Sequence, residues 1–394
     1  MKRVLFVDHA NRILGGAEIN LVELLGSPAV KQRWAAACAC PPGSRLGEAL
    51  QQTDVPCFDY GFDSSLDQLR LVGRRFSFRA GLRGWAALRA ARKTLARIIA
   101  ESRASVVVSC TNKDHFCAAA ACRQAGASQV WWVNDIISAD FFPWPARAAF
   151  LWHARRGRAR LVTVSEFGRS ALVRAGLAAS RVTTIHNGIP LARYQRTERG
   201  LLRQQWNLSD AELVVGIVGR FTPWKGQELF LRLAQAWNER KAPGHFVLAG
   251  HAFNEEQGFE TGLRAFVANQ GLGDRVHFVP FLPNIAAALS DLDVLVHASL
   301  RPEPFGRVII EAMAVGVPVI AAKDGGVPEI VEHGVNGLLA VPGSLEDYVR
   351  HLEQLASSPQ LRSQLGAAGR QNVEARFTLE RVGEAFDRVF AEVA

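Results

Sequence analysis

The 394-residue sequence contains no apolar run long enough to cross a bilayer. The apolar stretch that follows Lys2 and Arg3 is also too short for the hydrophobic core of a secretory signal. We therefore expect a cytoplasmic protein that is at most peripheral on the inner face of the cytoplasmic membrane. A hydrophobic share of 48% and a charged share of 21% are typical of a globular chain, and its length suits two domains.

Cysteine is scarce and confined to the first third of the chain. No two cysteines form a C-x-x-C pair, which argues against a zinc site, and a cytoplasmic chain has little use for disulfides. We expect reduced core cysteines. The six are Cys38, Cys40, Cys57, Cys110, Cys117 and Cys122.

Several ligand-binding signatures are also missing. No G-x-G-x-x-G with a downstream acid follows the first predicted strand, which argues against a dehydrogenase. The glycines and lysine of residues 215–226 do not follow the order of a P-loop. No Asp-x-Asp cluster sits at a predicted phosphate site. We expect neither a metal ion nor a cofactor.

Acidic residues are sparse in the first half. Residues 1–200 carry 29 Lys/Arg against 14 Asp/Glu, whereas residues 201–394 carry 17 against 23. The basic residues concentrate at 70–103 and again at 147–160, where aromatic residues are interleaved with them. No nucleic-acid-binding module is recognisable, so an anionic membrane surface is the predicted partner. The alternative is a solvated helix face.

Strand-like and helix-like segments alternate along the chain, which predicts parallel sheets covered by helices. A polar stretch at residues 191–209 is interpreted as a linker between two such series. The first series of strands is predicted at residues 2–8, 34–39, 105–109, 129–133, 161–164 and 182–185, and the second at 213–218, 245–249, 276–279, 294–297, 318–321 and 337–341. Doubly wound sheets bind ligands beyond the carboxyl ends of their strands.

The most informative segment is residues 301–316, which read RPEPFGRVIIEAMAVG. Two prolines keep the chain out of a helix until about Phe305, and Gly306 allows the backbone to approach a ligand closely. A helix predicted to begin near Arg307 presents its first free N–H groups as an anion site, which suits a diphosphate or a sugar hydroxyl.

Two carboxylates flank the start of that helix. Glu303 precedes it and Glu311 lies just over one turn inside it. A carboxylate at the second position can accept bonds from two adjacent ribose hydroxyls. The alternative is that both acidic residues only offset the helix dipole.

A second segment, residues 215–226, places two cations beyond a predicted strand end. Arg220 and Lys225 together can neutralise a leaving diphosphate, since charge-assisted hydrogen bonds contribute about 1.5–3 kcal/mol each. Read alone, the segment also fits a solvated loop with surface cations.

Two glycine pairs lie at turns. Gly15 and Gly16 occur between a strand and a helix, where they permit positive φ and close ligand approach. Gly325 and Gly326 follow a later strand. Either pair alone is a weak signal, because turns use glycine throughout proteins.

Taken in order, these segments resemble glycosyltransferase family 4, the group 1 retaining transferases of the GT-B fold. The resemblance covers nearly the whole chain, and its most specific part is the pair of glutamates eight residues apart. The matching segments are GGAE at 15–18, VSE at 164–166, IHNG at 185–188, GR and KG at 219–220 and 225–226, EPFG and EAMA at 303–306 and 311–314, GVPVI at 316–320, GGVPE at 325–329 and NG at 336–337.

The resemblance implies an α/β fold of two Rossmann-like domains facing a cleft. It implies that Arg220 and Lys225 hold the donor diphosphate, that Glu311 binds the ribose and that Glu303 faces the donor sugar. The other implied donor-site positions are Phe305, Gly306, Arg307 and Val308, with Gly15 and Gly16 across the cleft.

One position departs from the family pattern. A histidine beside the donor sugar commonly follows the strand predicted at residues 129–133, but this chain has Asn134 there. Asparagine can hydrogen-bond a sugar hydroxyl but cannot carry a proton. The retaining mechanism implied by the family needs no strong base, so Asn134 stays a candidate. His115 is an alternative substitute, although a lone histidine is more often structural.

We therefore predict an acceptor-side domain at residues 1–195 and a nucleotide-sugar domain at residues 205–374, with residues 375–394 packed back on the first. The predicted activity moves a hexose-type sugar from a UDP- or GDP-linked donor to a cell-envelope glycan or lipid-linked acceptor in polysaccharide biosynthesis. The alternative is a catalytically silent protein of the same fold that binds an anionic surface.

Overall fold

The computed structural model describes residues 1–9, 15–61, 78–139, 141–198, 200–253, 256–280 and 285–393, with the backbone alone for residues 78–85. Its contacts divide the chain into two compact units. One comprises Met1–Gly188 together with Leu379–Ala394, and the other comprises Ile189–Thr378. The basic stretch predicted at residues 70–103 falls partly outside the description, because Arg70, Arg74 and Arg75 and the side chains of Arg79 and Arg83 are not among the described parts.

The first unit contains a seven-stranded, wholly parallel sheet. Its strands are β1 (Lys2–Val7), β2 (Trp34–Cys40), β3 (Cys57–Asp59), β4 (Val106–Ser109), β5 (Ser128–Val133), β6 (Arg160–Thr163) and β7 (Val182–Thr184). They lie in the order β3-β2-β1-β4-β5-β6-β7, so the direction of winding reverses between β1 and β4. All the strands predicted for this half are confirmed to within a few residues. Strand β3 was missed, because it is a three-residue edge strand that is largely exposed.

Helices connect these strands, as parallel pairing requires. They are α1 (Gly16–Gly26), α2 (Pro28–Lys31), α3 (Arg45–Gln51), α4 (Phe78–Ser102), α5 (Asn112–Ala125), α6 (Trp144–Arg156) and α7 (Glu166–Arg174). Strand β4 is buried along its whole length, as expected for a strand covered on both faces.

The last helix of the chain, α14 (Leu379–Val393), completes the core of the first unit. Its apolar residues recur at helical spacing, and Phe386 and Phe390 meet the ring of Trp34 at centroid distances of 6.1 and 5.0 Å. The Lys2 ammonium donates to the carbonyl of Phe390 over 2.9 Å. Both ends of the chain therefore belong to one hydrophobic core.

The second unit contains a six-stranded parallel sheet. Its strands are β8 (Val214–Val218), β9 (His245–Ala249), β10 (Val276–Val279), β11 (Val294–His297), β12 (Val319–Ala322) and β13 (Leu338–Ala340). The order β10-β9-β8-β11-β12-β13 again reverses, here between β8 and β11. The six strands predicted for this half are confirmed, and the switch point lies between the two strands that precede the motif segments.

The helices of the second unit bury one face each against this sheet. They are α8 (Gln227–Glu239), α9 (Gln257–Asn269), α10 (Ile285–Ser290), α11 (Arg307–Ala314), α12 (Leu345–Ser357) and α13 (Pro359–Arg376). The predicted start of a helix at Arg307 is confirmed. Phe230, Phe246 and Tyr348 are among the largest side chains in the resulting core.

The predicted linker at residues 191–209 is instead part of the second unit. Its backbone amides at Gly200 and Leu202 donate to the two carboxylate oxygens of Asp291, and Arg203 pairs with Asp293 at 2.8 Å. This explains the Asp-Leu-Asp sequence at residues 291–293, where buried carboxylates pin the incoming chain. These aspartates lie at the amino end of β11, opposite the edge where parallel sheets bind ligands.

All six cysteines are free thiols. Five are buried, whereas Cys57 on β3 is exposed, so the expectation of a core position was wrong for Cys57. Burial raises the pKa of Cys117 to about 11 and that of Cys122 to about 12, which keeps both as neutral thiols near pH 7.

Helix α13 crosses the turn after α11 at very short range, and this contact generates a prediction. A Cβ built on Gly366 would lie 2.2 Å from the carbonyl oxygen of Gly316. We expect Gly366→Ala to lower the free energy of unfolding by about 1–3 kcal/mol through overpacking. Chemical denaturation of the full chain measures the change.

Gly262 provides the matched control, because it also lies within a helix but a Cβ there meets nothing within 4 Å. Gly262→Ala should raise stability by about 0.5–1 kcal/mol, since alanine loses less backbone entropy in a helix. Equal effects of the two substitutions would contradict the close helix crossing.

Candidate active site

The loops that follow β8 and β11 meet at the switch point of the second sheet. The amide of Leu300 donates to the carbonyl of Trp224 over 2.7 Å, which ties one loop to the other. Gly226 has φ +77°, and a Cβ there would lie 2.0 Å from the carbonyl oxygen of Ala298. Glycine is therefore required for the two loops to approach so closely.

This approach brings Lys225 from one loop onto Glu303 from the other. The ammonium Nζ lies 2.7 Å from Oε2 of the carboxylate. Ser299 donates to the same oxygen over 3.0 Å, and Nε2 of His297 lies 3.3 Å from it. The side chain of Glu303 is 10% exposed and that of Lys225 is 25% exposed. A ligand can therefore still reach the pair, mainly through the ammonium group.

The environment fixes the charge of this carboxylate. Burial alone raises the pKa of Glu303, but the Lys225 ammonium and the His297 ring outweigh it and hold the pKa well below its usual range. Glu303 is consequently an anion at neutral pH. It can accept hydrogen bonds but cannot act as a proton donor there.

The glycine turn after β12 supports Glu303 from behind. The amide of Gly326 donates to the carbonyl of Glu303 over 2.8 Å. Gly325 has φ +62°, and a Cβ there would lie 2.2 Å from the same oxygen. The Gly325-Gly326 pair, a weak signal in the sequence, thus packs against the backbone of Glu303 and holds it in place.

Helix α11 begins immediately after this loop. Gly306 caps it with φ +106°, a conformation that other residues rarely adopt. The amides of Arg307 and Val308 belong to the first turn, whose N–H groups have no partner within the helix. Phe305 is buried and meets Phe377 with ring centroids 5.7 Å apart, so it reaches the site through its backbone only.

Glu311 lies one turn into α11 within a second polar cluster. Its Oε1 accepts from Nε of Arg307 over 2.7 Å and from the hydroxyl of Tyr194 over 3.0 Å. Arg307 also donates to the Tyr194 hydroxyl over 3.3 Å. Both bonds to the carboxylate end on Oε1, and together they fix the plane of the group.

Arg220 also follows β8, but it pairs with Glu256 and not with Glu303. Its Nε lies 3.7 Å from Oε2 of Glu256, and its side chain is 43% exposed. An exposed pair at that distance is weak, so the guanidinium can exchange this partner for a phosphate at little cost.

The remaining predicted residues belong to the first unit. Gly15 caps α1 with φ −87°, an unstrained conformation that any residue can adopt. Its amide donates to the carboxylate of Glu18 over 2.8 Å. Neither Gly15 nor Gly16 has a positive φ, so the conformational reason predicted for this pair was wrong. Asn134 follows β5, is half-buried, and makes a long bond of 3.5 Å to the carbonyl of Trp132.

The structure makes His115 a core residue. Its ring stacks on Trp131 with centroids 4.7 Å apart, its Nδ1 lies 2.8 Å from the hydroxyl of Ser109, and it is 1% exposed. Burial lowers the pKa of His115 to about 3. The suggestion that it replaces the family histidine is therefore wrong, because a neutral, enclosed ring reaches no substrate.

Sequence reasoning missed a polar cluster at the β1/β4 switch point of the first unit. His9 follows β1, and its Nδ1 lies 3.0 Å from the buried carboxylate of Asp114 and 2.8 Å from the hydroxyl of Thr111. Burial lowers the pKa of His9, but Asp114 offsets this, and the net shift is upward. The carboxyl-end rule for doubly wound sheets was the available signal for this cluster.

The same rule would have found His297, the last residue of β11, and Ser299 just beyond it. Tyr194 gave no such signal, since it lies in the stretch taken for a linker. Among the side chains that the structure describes, no group of three or more His, Cys, Asp or Glu residues is placed to hold a metal ion. None of the described helices has both the length and the apolar character needed to cross a membrane.

Two family models match this chain. The model for glycosyl transferases group 1 matches residues 198–372, and the model for glycosyltransferase family 4 matches residues 44–193. The two matches follow each other along the sequence and together cover most of it.

Individual curated relatives match this chain at low sequence identity and over only part of its length. The chain is 30% identical to spore coat protein SA of Bacillus subtilis over 240 residues, which is 57% of this chain and 63% of that protein. It is 30% identical to a D-inositol 3-phosphate glycosyltransferase of Mycobacterium tuberculosis over 57% of this chain and 46% of that protein. The chain thus spans about half the length of the curated relatives it matches.

Solved structures match along the whole chain. Anabaena Alr3699/HepE in complex with UDP-glucose superposes with a TM-score of 0.85 at 26% identity, covering all of both chains. A sucrose-phosphate synthase of Thermosynechococcus elongatus, at 20% identity and a TM-score of 0.78 over 100% of this chain and 99% of that one, shares the fold. The two parallel-sheet units are those of the GT-B fold, and the chain belongs to the group 1, family 4 glycosyltransferases.

Proposed function

We propose that this chain is a retaining, metal-independent hexosyltransferase that uses a UDP- or GDP-linked sugar as donor. The observation that carries the proposal is the junction of Lys225 and Glu303 at the β8/β11 switch point, directly before the first turn of α11. One position gathers an ammonium group, the amides of a first helical turn and a fixed carboxylate. These groups suit a diphosphate joined to a sugar.

In the proposed reaction the bond between the anomeric carbon and the diphosphate oxygen breaks, and a bond from the acceptor oxygen to that carbon forms on the same face. The acceptor's hydroxyl proton passes to an oxygen of the leaving phosphate, so no side-chain base is needed. Lys225, Arg220 and the amides of Arg307 and Val308 stabilise the negative charge that develops on the diphosphate.

The carboxylates have separate parts in this proposal. Glu303 stays ionised and accepts hydrogen bonds from hydroxyls of the donor sugar. Glu311, held in plane by Arg307 and Tyr194, accepts the two ribose hydroxyls. The parts given to Gly15, Gly16 and Asn134 rest on the family resemblance alone.

The similarity to Anabaena HepE supports the choice of donor, since that protein was crystallised with UDP-glucose. We propose a cell-envelope glycan or a lipid-linked molecule as acceptor, within polysaccharide biosynthesis. This choice is supported by the basic first half of the chain, which favours an anionic membrane surface on the cytoplasmic side.

The alternative is a catalytically silent member of the fold that binds an anionic surface. Such a protein needs no site for a diphosphate and a sugar, whereas Lys225, Glu303 and the first turn of α11 together suit both. Calorimetric titration with UDP, GDP and their sugars separates the two, because only the transferase needs a nucleotide site.

We expect Glu311→Ala to weaken binding of the nucleoside diphosphate by about 2–4 kcal/mol, because two ribose hydroxyls lose a charged acceptor. Calorimetry with UDP and GDP measures the change, and a melting curve checks the fold. An unaltered affinity in a folded variant would rule out the ribose role.

The control for this experiment is Glu374→Ala. Glu374 accepts from Arg370 at the same i, i+4 spacing as Glu311 and Arg307, but on an exposed face of α13. Its removal should leave nucleotide affinity unchanged. A similar loss in both variants would point to a general electrostatic effect.

We also expect turnover to persist without divalent metal, since cationic side chains and helix amides already supply the positive potential. The test is the rate of sugar transfer before and after treatment with EDTA. Complete loss of transfer that Mg²⁺ or Mn²⁺ restores would overturn metal independence.

A further inference from the structure

Helix α6 carries two tryptophans on its outer surface. Trp144 is 75% exposed and Trp152 is 50% exposed, whereas Phe150 and Ala154 of the same helix are buried. At 100° per residue both tryptophans lie away from the buried side. Large aromatic side chains so exposed are unusual on a surface that meets only water.

Arginines share that outer face. Arg155 falls between the tryptophans in helical projection, whereas Arg147 lies at the border with the buried side. The guanidinium of Arg156 lies 4.6 Å from the ring centroid of Trp152. Trp144, Trp152, Arg155 and Arg156 therefore share one exposed surface of the helix. This pairing of side chains is typical of helices that lie in a membrane interface.

A groove of about 510 Å³ runs between α6 and α7 beside this face. Arg147 and Arg155 of α6 and Arg174 at the end of α7 line it, and Ile137 and Leu151 form apolar parts of its wall. Three guanidinium groups around one opening suit phosphate oxygens, which they bind in a bidentate manner.

The surrounding sequence leaves this charge largely uncompensated. Residues 141–181 contain eight arginines and a single acidic residue, Glu166. Glu166 is paired with Arg169, whose Nη1 lies 3.4 Å from Oε2 of Glu166. Of the eight arginines, Arg160 is paired with Glu392 of α14. None of the described residues that line the groove is acidic, so the groove presents an excess of positive charge that attracts anions from solution.

We propose that the outer face of α6 and the adjoining groove, here called the α6 docking surface, bind a bilayer of anionic phospholipid. Trp144 and Trp152 insert at the depth of the headgroups, and a lipid phosphate occupies the groove between Arg147 and Arg174. The inference rests on the proposed function in one respect, since an acceptor held at a membrane gives the docking its purpose.

The test is co-sedimentation of the full chain with vesicles of phosphatidylcholine alone or mixed with phosphatidylglycerol. We expect binding to the mixed vesicles only, weakened by high salt. Arg147→Gln combined with Arg174→Gln should weaken it about thirtyfold, because each arginine near an anionic leaflet contributes about one factor of five to six. Arg350→Gln combined with Arg370→Gln, which removes the same charge from exposed sites on the second unit, is the control.

Vesicles containing brominated lipid test the depth of the tryptophans. Binding should quench part of the tryptophan fluorescence, and Trp144→Phe combined with Trp152→Phe should abolish that part. Trp206→Phe, on the second unit, should leave it unchanged. Sedimentation without quenching, or an equal loss in both arginine double variants, would overturn the α6 docking surface as the site.

Two further measurements separate this inference from the proposed function. UDP affinity should be the same in the wild-type chain and in all the α6 variants. If UDP binds and anionic vesicles do not, the docking inference fails while the transferase proposal stands. Binding of inorganic phosphate that depends on Arg147 and Arg174, without binding to vesicles, would instead assign the groove to a soluble anion.

Discussion

The second unit is organised around a buried carboxylate that needs a cation. Glu303 is largely removed from water in the loop after β11, and without Lys225 the cost of desolvating its charge would not be offset. Two loops must meet to satisfy it, and three glycines permit the meeting. Gly226 and Gly325 bring other backbone within contact distance, and Gly306 turns the chain into α11. The residues of the candidate site are thus positioned by the need to neutralise the charge of Glu303.

The same arrangement explains why the predicted site residues fall into two groups. Lys225 and Glu303 form an ion pair between loops, whereas Arg307 and Glu311 pair along one helix turn. The first pair leaves the Lys225 ammonium group partly exposed, so this group is suited to bind a negatively charged ligand. The second pair restrains a carboxylate, which is suited to select hydroxyl groups by direction. Tyr194 contributes to the second pair from a segment that precedes the whole sheet.

The sequence predicted the strands and the start of α11 because their signals are local. A buried parallel strand appears in the sequence as a continuous apolar run. A glycine followed by apolar residues at helical spacing indicates the start of a helix. Tyr194 and the surrounding chain were not predicted, because a polar composition looks the same in a linker and in a segment whose amides bond to buried carboxylates such as Asp291. His115 was misjudged for a similar reason. Only tertiary packing against Trp131 decides whether a histidine faces a substrate or the core.

The return of α14 to the first unit has a consequence for how the chain is made. Trp34 is synthesised long before Phe386 and Phe390, which cover it. The second unit, by contrast, is one continuous stretch from Ile189 to Thr378. The second unit can therefore finish folding before the first, whose apolar surface around Trp34 stays uncovered until α14 has been made.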